Sequence, residues 1–392
     1  MANLGACVDF LQRLLQTPSR SGQEGEIANL IVSEMKKLGY DVAYTDEAGN
    51  VIGCIEGTGE APPMMFNTHL DHVDVGDQSA WPHPPFGGVI HDDAIWGRGA
   101  VDIKGPLATQ VYGVAPLVER GHPPPGDVFV TSVVQEEIGG VGTRHLLTHL
   151  APDFVVVGEP SQNNLRRGHR GRLELVVHIE GRSVHASAPS RGVNPLEVAA
   201  HFIGGIGALD MSEDPDLGKS TVVPTLIKTN QESSNVIPSE IWLTCDWRNV
   251  PGESENDAQK VLQSLADESL VHGATVDVSI PTFPRRTYTG LEMEIPASNY
   301  PFITRSDDPV LRAAQSVLQK TLNRFPDVGF WDFATDGGHF ARADLAVIGL
   351  GPGDEALAHT VNEHVSLTQL ENALTSYEAL ASQGASTLQR VQ

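Results

Sequence analysis

Histidines and acids with metal-ligand chemistry recur in this chain where apolar runs give way to loops. The five that stand out are His69, Asp102, Glu137, Glu159 and His359. A sixth acid, Glu136, lies directly beside Glu137. A two-metal hydrolase needs one carboxylate shared between two sets of histidine-plus-carboxylate ligands, and a remaining acid could then serve as general base. The residue types therefore predict hydrolysis by a water that bridges two metals.

The segment THLDHVD, residues 68–74, follows a short apolar strand. On an extended backbone His69 and Asp71 point the same way, so Asp71 could contact or orient the histidine. The motif is short enough to occur by chance, and alone it indicates a site only weakly. His72 and Asp74, on the other face, are predicted to be solvated loop residues.

Three further acids have structural explanations as well as chemical ones. Asp102 lies between glycine-rich turns just before a predicted helix, so it could offer one oxygen to each of two cations or simply cap the helix. Glu136 and Glu137 end a buried strand, where adjacent acids are costly unless a cation neutralises them. Because strand neighbours point to opposite sides, one could bind metal and the other activate water, although surface turns also carry acid pairs.

Glu159 ends the apolar run FVVV, and His359 follows the glycine-rich loop GLGPGDEALA. Either could be an ordinary loop residue. His359 is preferred over His364 because it directly follows that loop and precedes a predicted helix, on which His364 is expected to face solvent. No single motif is sufficient to predict the metal site. The prediction depends on the order of the motifs and on their positions at strand ends.

The bulk composition limits the class of protein. A chain of 392 residues is about right for two domains. Its net charge of −24 and pI near 4.9 argue against nucleic-acid or anionic-membrane partners. Three widely spaced cysteines without a CxxC pattern, and an N-terminus without a basic start, favour a reducing cytoplasm. No apolar run is long enough to span a membrane.

Strands that alternate with helices predict an α/β fold with a mostly parallel sheet covered on both faces. Ligands in such sheets collect at the carboxyl ends of strands. The candidate residues at such ends are His69, Glu136, Glu137 and Glu159. Residues 169–298 instead follow the β-α-β-β-α-β order of ferredoxin-like domains. We therefore predict a catalytic domain over 1–168 and 299–392, with an inserted α+β domain between them.

Together the motifs resemble those of the di-zinc aminoacylase, acetylornithine deacetylase, succinyl-diaminopimelate desuccinylase and glutamate carboxypeptidase family. The matching stretches run from about residue 64 to 367 and are THLDHVD, WGRGAVDIKGPLA, QEEIGG, GEPS, GRSVHASAPSRGVNP, SSNVIPSEIWLTCDWR, ATDGG and AHTVNEHV. The match is looser at ATDGGHF, a segment that lines the substrate site in relatives, where Phe333 and Ala334 precede Thr335. The resemblance implies a zinc-exopeptidase-like catalytic domain and an inserted dimerisation or lid domain.

The resemblance also implies how the metals would be held. Asp102 would bridge two divalent ions, His69 and Glu159 would hold one of them, and Glu137 and His359 would hold the other. Zinc fits one histidine plus carboxylates per ion, and cobalt or manganese could substitute.

Two further roles follow from the same resemblance. Glu136 would act as general base and then general acid, and Asp71 would steady His69. The family also carries a cis peptide bond after its bridging aspartate, which here is the bond from Asp102 to Ile103.

Three residues of the inserted segment match the family's substrate-binding positions. His185 would reach across a homodimer interface and polarise the scissile carbonyl in the partner's site, while Asn235 and Arg248 would bind the substrate carboxylate and help the oxyanion. Arg248 suits a carboxylate because its planar fork pairs bidentately. It also shares a strand face with Asp246, so an ion pair within the domain is an alternative.

The expected reaction is cleavage of an amide bond in an N-acyl amino acid or small peptide that bears a free carboxylate. A carboxypeptidase or dipeptidase of the same fold is the first alternative. A metal-binding relative without catalysis is a more distant one, and the presence of Glu136 argues against it.

Overall fold

A computed structural model describes the backbone of residues 3–119 and 123–387 and the side chains of residues 3–118 and 123–382. Its helices form where apolar residues recur every three or four positions, as in the first helix, whose start is capped by the Asn3 side chain. In chain order the helices are α1 (Leu4–Leu15), α2 (Gly25–Lys37), α3 (Lys104–Val114), α4 (Pro116–Glu119), α5 (Val141–Leu146), α6 (Pro195–Gly205), α7 (Glu255–Glu268), α8 (Pro309–Leu322), α9 (Gly337–Arg342) and α10 (Leu367–Thr387).

The strands up to residue 170 are β1 (Val42–Thr45), β2 (Val51–Ile55), β3 (Met64–His69), β4 (Val89–His91), β5 (Ala94–Trp96), β6 (Val128–Val133), β7 (Phe154–Val157), β8 (Leu165–Arg166) and β9 (Gly168–His169). Those from there to residue 299 are β10 (Arg172–Glu180), β11 (Val184–His185), β12 (Glu213–Asp214), β13 (Gly218–Lys219), β14 (Thr221–Thr229), β15 (Val236–Ile237), β16 (Glu240–Arg248), β17 (Thr275–Ser279), β18 (Thr282–Arg286), β19 (Glu292–Pro296) and β20 (Ser298–Asn299). The last strands are β21 (Phe302–Ile303), β22 (Val328–Gly329), β23 (Ala346–Gly349) and β24 (His364–Ser366).

The large sheet has the strand order β1-β2-β6-β3-β7-β23-β8-β22. Its central strands β6, β3, β7 and β23 run parallel, whereas β1 and β2 join antiparallel at one edge. Every residue of β3 and β7 is buried, as expected for strands covered by helices on both faces. The predicted α/β class with a mostly parallel sheet is therefore confirmed.

A second, antiparallel sheet has the strand order β14-β16-β10-β17. Residues alternate between buried and partly exposed along β10 and β16, and the buried ones pack with α6 and α7 into a hydrophobic core of their own. The order of elements is the predicted β-α-β-β-α-β. The domain boundaries at residues 169 and 298 stay a prediction.

The topology brings distant loops to one edge of the large sheet. Strands β3, β6 and β7 are parallel neighbours, so the loops that follow them meet at their carboxyl ends. Strand β24 pairs with β5, which places the loop before β24 next to the loop after β5. The candidate site forms where these loops meet.

The helix predicted after Asp102 is interrupted. It breaks at Ala115, because Pro116 has no N–H with which to continue the ladder, and a second short helix follows.

Within the described part of the chain, no helix is long and apolar enough to cross a membrane.

Candidate active site

Asp102 lies between the two histidines of the site. Its Oδ1 is 3.0 Å from Nε2 of His69, and its Oδ2 is 3.1 Å from Nε2 of His359. The peptide bond from Asp102 to Ile103 is cis, as the resemblance implies. The carboxylate therefore offers one oxygen to each side, which is the geometry that a bridging ligand needs.

Each histidine also has a glutamate close to it. Glu159 Oε1 lies 3.7 Å from His69 Nε2, and Glu137 Oε1 lies 3.1 Å from His359 Nε2. The structure thus brings the predicted ligands together in two sets that share Asp102. His359 takes up a left-handed backbone conformation with φ of 62°, and it precedes β24 rather than the expected helix.

Asp71 holds this edge of the site in place. Its backbone carbonyl is 3.0 Å from Nδ1 of His69, and its Oδ1 is 3.4 Å from the same nitrogen. Its carboxylate also accepts hydrogen bonds from the backbone N–H groups of Glu136 and Glu137, at 3.1 and 3.3 Å, and from the Ser21 hydroxyl at 2.7 Å. Asp71 therefore links the orientation of His69 to the turn that presents both glutamates.

The charged groups of the site are suited to binding cations. Burial raises the pKa of Glu136 and of Glu159 well above the ordinary value, and neighbouring carboxylates raise it further. Hydrogen bonds to Asp102 and Glu137 raise the pKa of His359 to about 10. Buried acids and imidazoles without a cation must share protons, whereas two dications would satisfy the same oxygens and nitrogens directly. The donor set therefore fits a pair of divalent metals.

These groups open into a cavity of about 280 Å³. Its charged wall consists of Asp102, Glu136, Glu137, Glu159 and His359. The other lining residues are Phe333, Ala334, Ala358 and Glu355, whose carboxylate lies 3.4 Å from the Arg166 guanidinium. Phe333 and Ala334, where the family motif matches loosely, thus line the cavity beside the predicted ligands.

Glu363 is a functional candidate that the sequence analysis overlooked. It is fully buried, and one carboxylate oxygen accepts hydrogen bonds from the backbone N–H groups of Val101 and Asp102, at 3.0 and 3.1 Å. Its other oxygen lies 2.5 Å from the Arg98 guanidinium. Glu363 lies four residues after His359 in AHTVNEHV, so an acid near a candidate ligand was visible in the sequence. Its partners are backbone groups far away in the chain, and these have no sequence signature.

Asp336, in the ATDGG motif, is a second overlooked acid. It accepts a hydrogen bond of 2.6 Å from the Thr143 hydroxyl. Burial raises the pKa of Asp336 to about 6. Its charge also raises the pKa of Glu136, so it lies close enough to influence the site.

Two predictions for the competing histidines were wrong. His72 is buried rather than solvated, because its Nε2 accepts a hydrogen bond of 2.9 Å from the Ser19 backbone N–H. His364 begins β24 instead of facing solvent from a helix, and its ring stacks on Trp96 with a centroid separation of 4.1 Å.

The candidate residues of the second sheet lie elsewhere. The exposed His185 has Nε2 3.4 Å from Asn235 Nδ2 and Nδ1 2.7 Å from Ser187 Oγ. Arg248 donates to Asp246 over 2.6 Å, which is the ion pair considered as the alternative. All of these residues are described, and none of His185, Asn235 and Arg248 lines the cavity.

Comparison with known proteins agrees with this geometry. A family profile described as Peptidase family M20/M25/M40 matches residues 65–383. The Escherichia coli K12 protein named "Uncharacterized protein YgeY" is 30% identical over 378 residues, which cover 95% of this chain and 92% of that protein. A succinyl-diaminopimelate desuccinylase from Halorhodospira halophila is 26% identical over 381 residues, covering 94% of this chain and 95% of the relative.

The fold has close counterparts among solved structures. The crystal structure of aminopeptidase PepT from Bacillus cereus superposes with a TM-score of 0.77 at 19% identity, and the match covers 98% of this chain and 99% of that one. The likeness extends over both sheets, because almost the whole chain is covered. Fold and sequence match agree on a metal-dependent hydrolase of amide bonds, and the chain belongs to peptidase family M20/M25/M40.

Proposed function

We propose that the chain hydrolyses the amide bond of an N-acyl amino acid or a small peptide that carries a free carboxylate. The observation that carries this proposal is the division of the Asp102 oxygens between His69 and His359, with Glu136 in the wall of the same cavity. Such a site has one shared carboxylate, two separate ligand sets and an additional acid.

In this proposal His69, Glu159 and Asp102 hold one divalent metal, and Asp102, Glu137 and His359 hold the other. When bound, the two ions would lower the pKa of a water between them and polarise the substrate carbonyl. Zinc suits these ligands best, and cobalt or manganese could replace it.

Glu136 is the residue that moves the proton. It takes one from the attacking water and returns it to the nitrogen of the departing amine, so a single carboxyl group serves as base and then as acid. Burial in the cavity wall raises the pKa of Glu136 well above its ordinary value, so the carboxyl group can retain the proton between the two transfers. Asp71 supports the step, since it fixes the backbone of Glu136 and orients His69.

Substrate recognition requires a second copy of the chain. Apolar side chains are exposed on β14 and α6, and two such faces could cover each other in a homodimer. They are Val223, Leu226, Ile227, Leu196 and Ile203. Pairing there would bring His185 toward the partner's cavity, where it would polarise the scissile carbonyl. Asn235 would assist the oxyanion, and Arg248 would bind the substrate carboxylate with N–H groups that Asp246 does not use.

The second candidate is a carboxypeptidase or dipeptidase. The relative from Halorhodospira halophila is named as a desuccinylase, which favours the first candidate over this one. Both reactions cleave an amide bond and release an amine that carries a carboxylate, so the acyl group rather than the chemistry separates the alternatives. A cytoplasmic location fits both, because Cys7, Cys54 and Cys245 are buried free thiols, which a reducing compartment preserves.

The test uses the full-length protein, stripped of metal by chelation and then given zinc, cobalt or manganese. Acetyl and succinyl amino acids and dipeptides are assayed in parallel. We expect turnover of one substrate class only after metal is restored. In Glu136→Gln, kcat should fall by at least about 100-fold while metal content stays the same, because the base is lost and the ligands remain.

Wild-type rates in Glu136→Gln would remove that residue from the mechanism. Zero turnover across the panel, with two metals bound per chain, would instead support the reading of a non-catalytic relative.

A further inference from the structure

A second group of metal-binding side chains lies outside the cavity, between the loop after β1 and helix α5. Nε2 of His149 is 3.6 Å from Oδ2 of Asp46, and Nε2 of His145 is 4.0 Å from the same oxygen. One ligand atom from each residue lies within 4.8 Å of the other two. None of the three residues takes part in the proposed reaction.

Hydrogen bonding fixes which nitrogen of His149 carries its proton. The Thr148 hydroxyl donates its only hydrogen to the backbone carbonyl of His145, at 2.7 Å. The Thr148 hydroxyl oxygen also lies 3.3 Å from Nδ1 of His149. Because its hydrogen is already used, this oxygen can only accept from Nδ1, so Nδ1 carries the proton. In the neutral ring, Nε2 then presents a lone pair to the Asp46 carboxylate. Two electron pairs facing each other at 3.6 Å repel unless a metal ion lies between them or Nε2 takes up a second proton, and a metal ion would use both lone pairs directly.

Asp46 is held in place before any cation binds. Its Oδ1 accepts hydrogen bonds from the backbone N–H groups of Gly49 and Asn50, each at 2.9 Å. Its Oδ2, the oxygen near both histidines, accepts one from the Asn50 side chain at 2.8 Å. Hydrogen-bonded carboxylates and imidazoles of this kind are typical of ligands whose orientation is set by their surroundings.

The spacing and the surroundings leave room for an ion with water ligands. Tetrahedral coordination at about 2.1 Å places neighbouring ligand atoms about 3.4 Å apart. The 3.6 Å between His149 and Asp46 is near this value, and the 4.0 Å between His145 and Asp46 requires a small approach of that ring. The three side chains line a surface cavity of about 440 Å³ together with Tyr44 and Glu47. Two imidazoles and one carboxylate select transition-metal dications over calcium or magnesium, which prefer oxygen alone.

We infer that Asp46, His145 and His149 form an accessory site for one transition-metal dication such as zinc, separate from the pair in the active site. The ion would tie the turn between β1 and β2 to α5. Asn50, whose side chain donates to Asp46, connects this site to the active site. The same side chain donates to the Gly142 carbonyl and accepts from the Val134 N–H, both at 2.9 Å. Those residues flank the turn that carries Glu136 and Glu137.

The test counts zinc in the full-length protein after dialysis against an excess. We expect His145→Gln/His149→Gln to hold one zinc fewer than wild type. The exposed His201 on α6 provides the control, and His201→Gln should keep the wild-type zinc content. In an Asp102→Ala background, which disables the active-site pair, the double substitution should still remove one equivalent, so the two sites fail independently.

A second measurement covers a variant that folds poorly. Crystals of the wild-type protein soaked in zinc should show anomalous scattering between Asp46 Oδ2 and His149 Nε2. Equal zinc content in wild type and the double variant, or anomalous signal confined to the active-site cavity, would overturn the inference, and the contact would then be a surface ion pair.

Discussion

Asp102 can bridge two metals only if its backbone is fixed, and Glu363 supplies that constraint. One oxygen of the Glu363 carboxylate accepts hydrogen bonds from the N–H groups of Val101 and Asp102, and the other pairs with the Arg98 guanidinium. Hydrogen bonds to a charged acceptor are stronger than neutral ones, so this contact holds the turn firmly. Glu363 is therefore a positioning residue, since it acts through Asp102 rather than on substrate.

We expect Glu363→Gln to lower the affinity for metal by about 10- to 100-fold, a typical effect of losing the partner of a metal ligand. Competition with a chelator measures the affinity directly. The exposed Glu371 on α10 provides a control of the same chemistry, and Glu371→Gln should leave the affinity unchanged. Full affinity in Glu363→Gln would show that neutral hydrogen bonds hold the turn equally well.

Arg248 has two possible roles that mutation separates. If it binds the substrate carboxylate, Arg248→Ala should raise KM by about 10- to 100-fold, because a charged hydrogen bond contributes about 1.5–3 kcal/mol. Asp246→Asn is the matched control, since it breaks the same ion pair and keeps the arginine. Equal kinetic effects of the two substitutions would assign Arg248 a structural role only.

At the scale of elements, β14 is an edge strand whose exposed side chains are apolar. Val223, Leu226 and Ile227 are 55%, 48% and 46% exposed, on a strand with one free edge. Isolated edge strands of this kind invite pairing with another chain. This is the surface on which the proposed dimer depends.

We expect Ile227→Lys to convert the proposed dimer into a monomer, because a buried lysine without a partner is costly at such an interface. Sedimentation velocity measures the mass. Val42, exposed on edge strand β1 of the large sheet, is the matched control, and Val42→Lys should leave the mass unchanged. If His185 acts across the dimer, kcat falls together with the mass; full activity in the monomer would contradict that role.

The strands of this chain are easier to predict from its sequence than the long-range contacts between them. Apolar runs that end in polar residues identified β3, β6 and β7, because burial and polarity both change at a strand end. The break at Pro116 was missed although a proline is a local signal. The strand at His364 was missed because the pairing of β24 with β5 depends on residues far away in the chain. Glu363 was missed for the same reason, because its partners are backbone N–H groups without a sequence signature.

For the molecule as a whole, buried neutral histidines should set the sensitivity to acid. Burial lowers the pKa of His72 and of His169 to about 4. Each ring accepts a backbone N–H on Nε2, from Ser19 and Thr335 respectively, so the folded state resists protonation there. The unfolded chain binds these protons near pH 6.5. Their stabilisation is therefore complete above pH 6.5 and is lost as the pH falls toward 4.

The free energy of unfolding should fall by up to about 3 kcal/mol per histidine between pH 6.5 and 4, since each pKa unit corresponds to about 1.36 kcal/mol. Urea unfolding followed at several pH values measures the slope. In His169→Gln the slope should be shallower than in wild type, whereas His201→Gln should retain it. Identical slopes in all three proteins would mean that other groups cause the acid sensitivity.

The ligands of the active-site cavity come from both sides of the segment that forms the second sheet. His69 and Glu159 precede it, and His359 follows it, 200 residues after Glu159. Synthesis delivers the N-terminal part first. A nascent chain on the ribosome therefore lacks one of the five proposed ligands until nearly all of it has emerged. We therefore expect products that end before His359 to be hydrolytically silent towards the substrates of the finished protein.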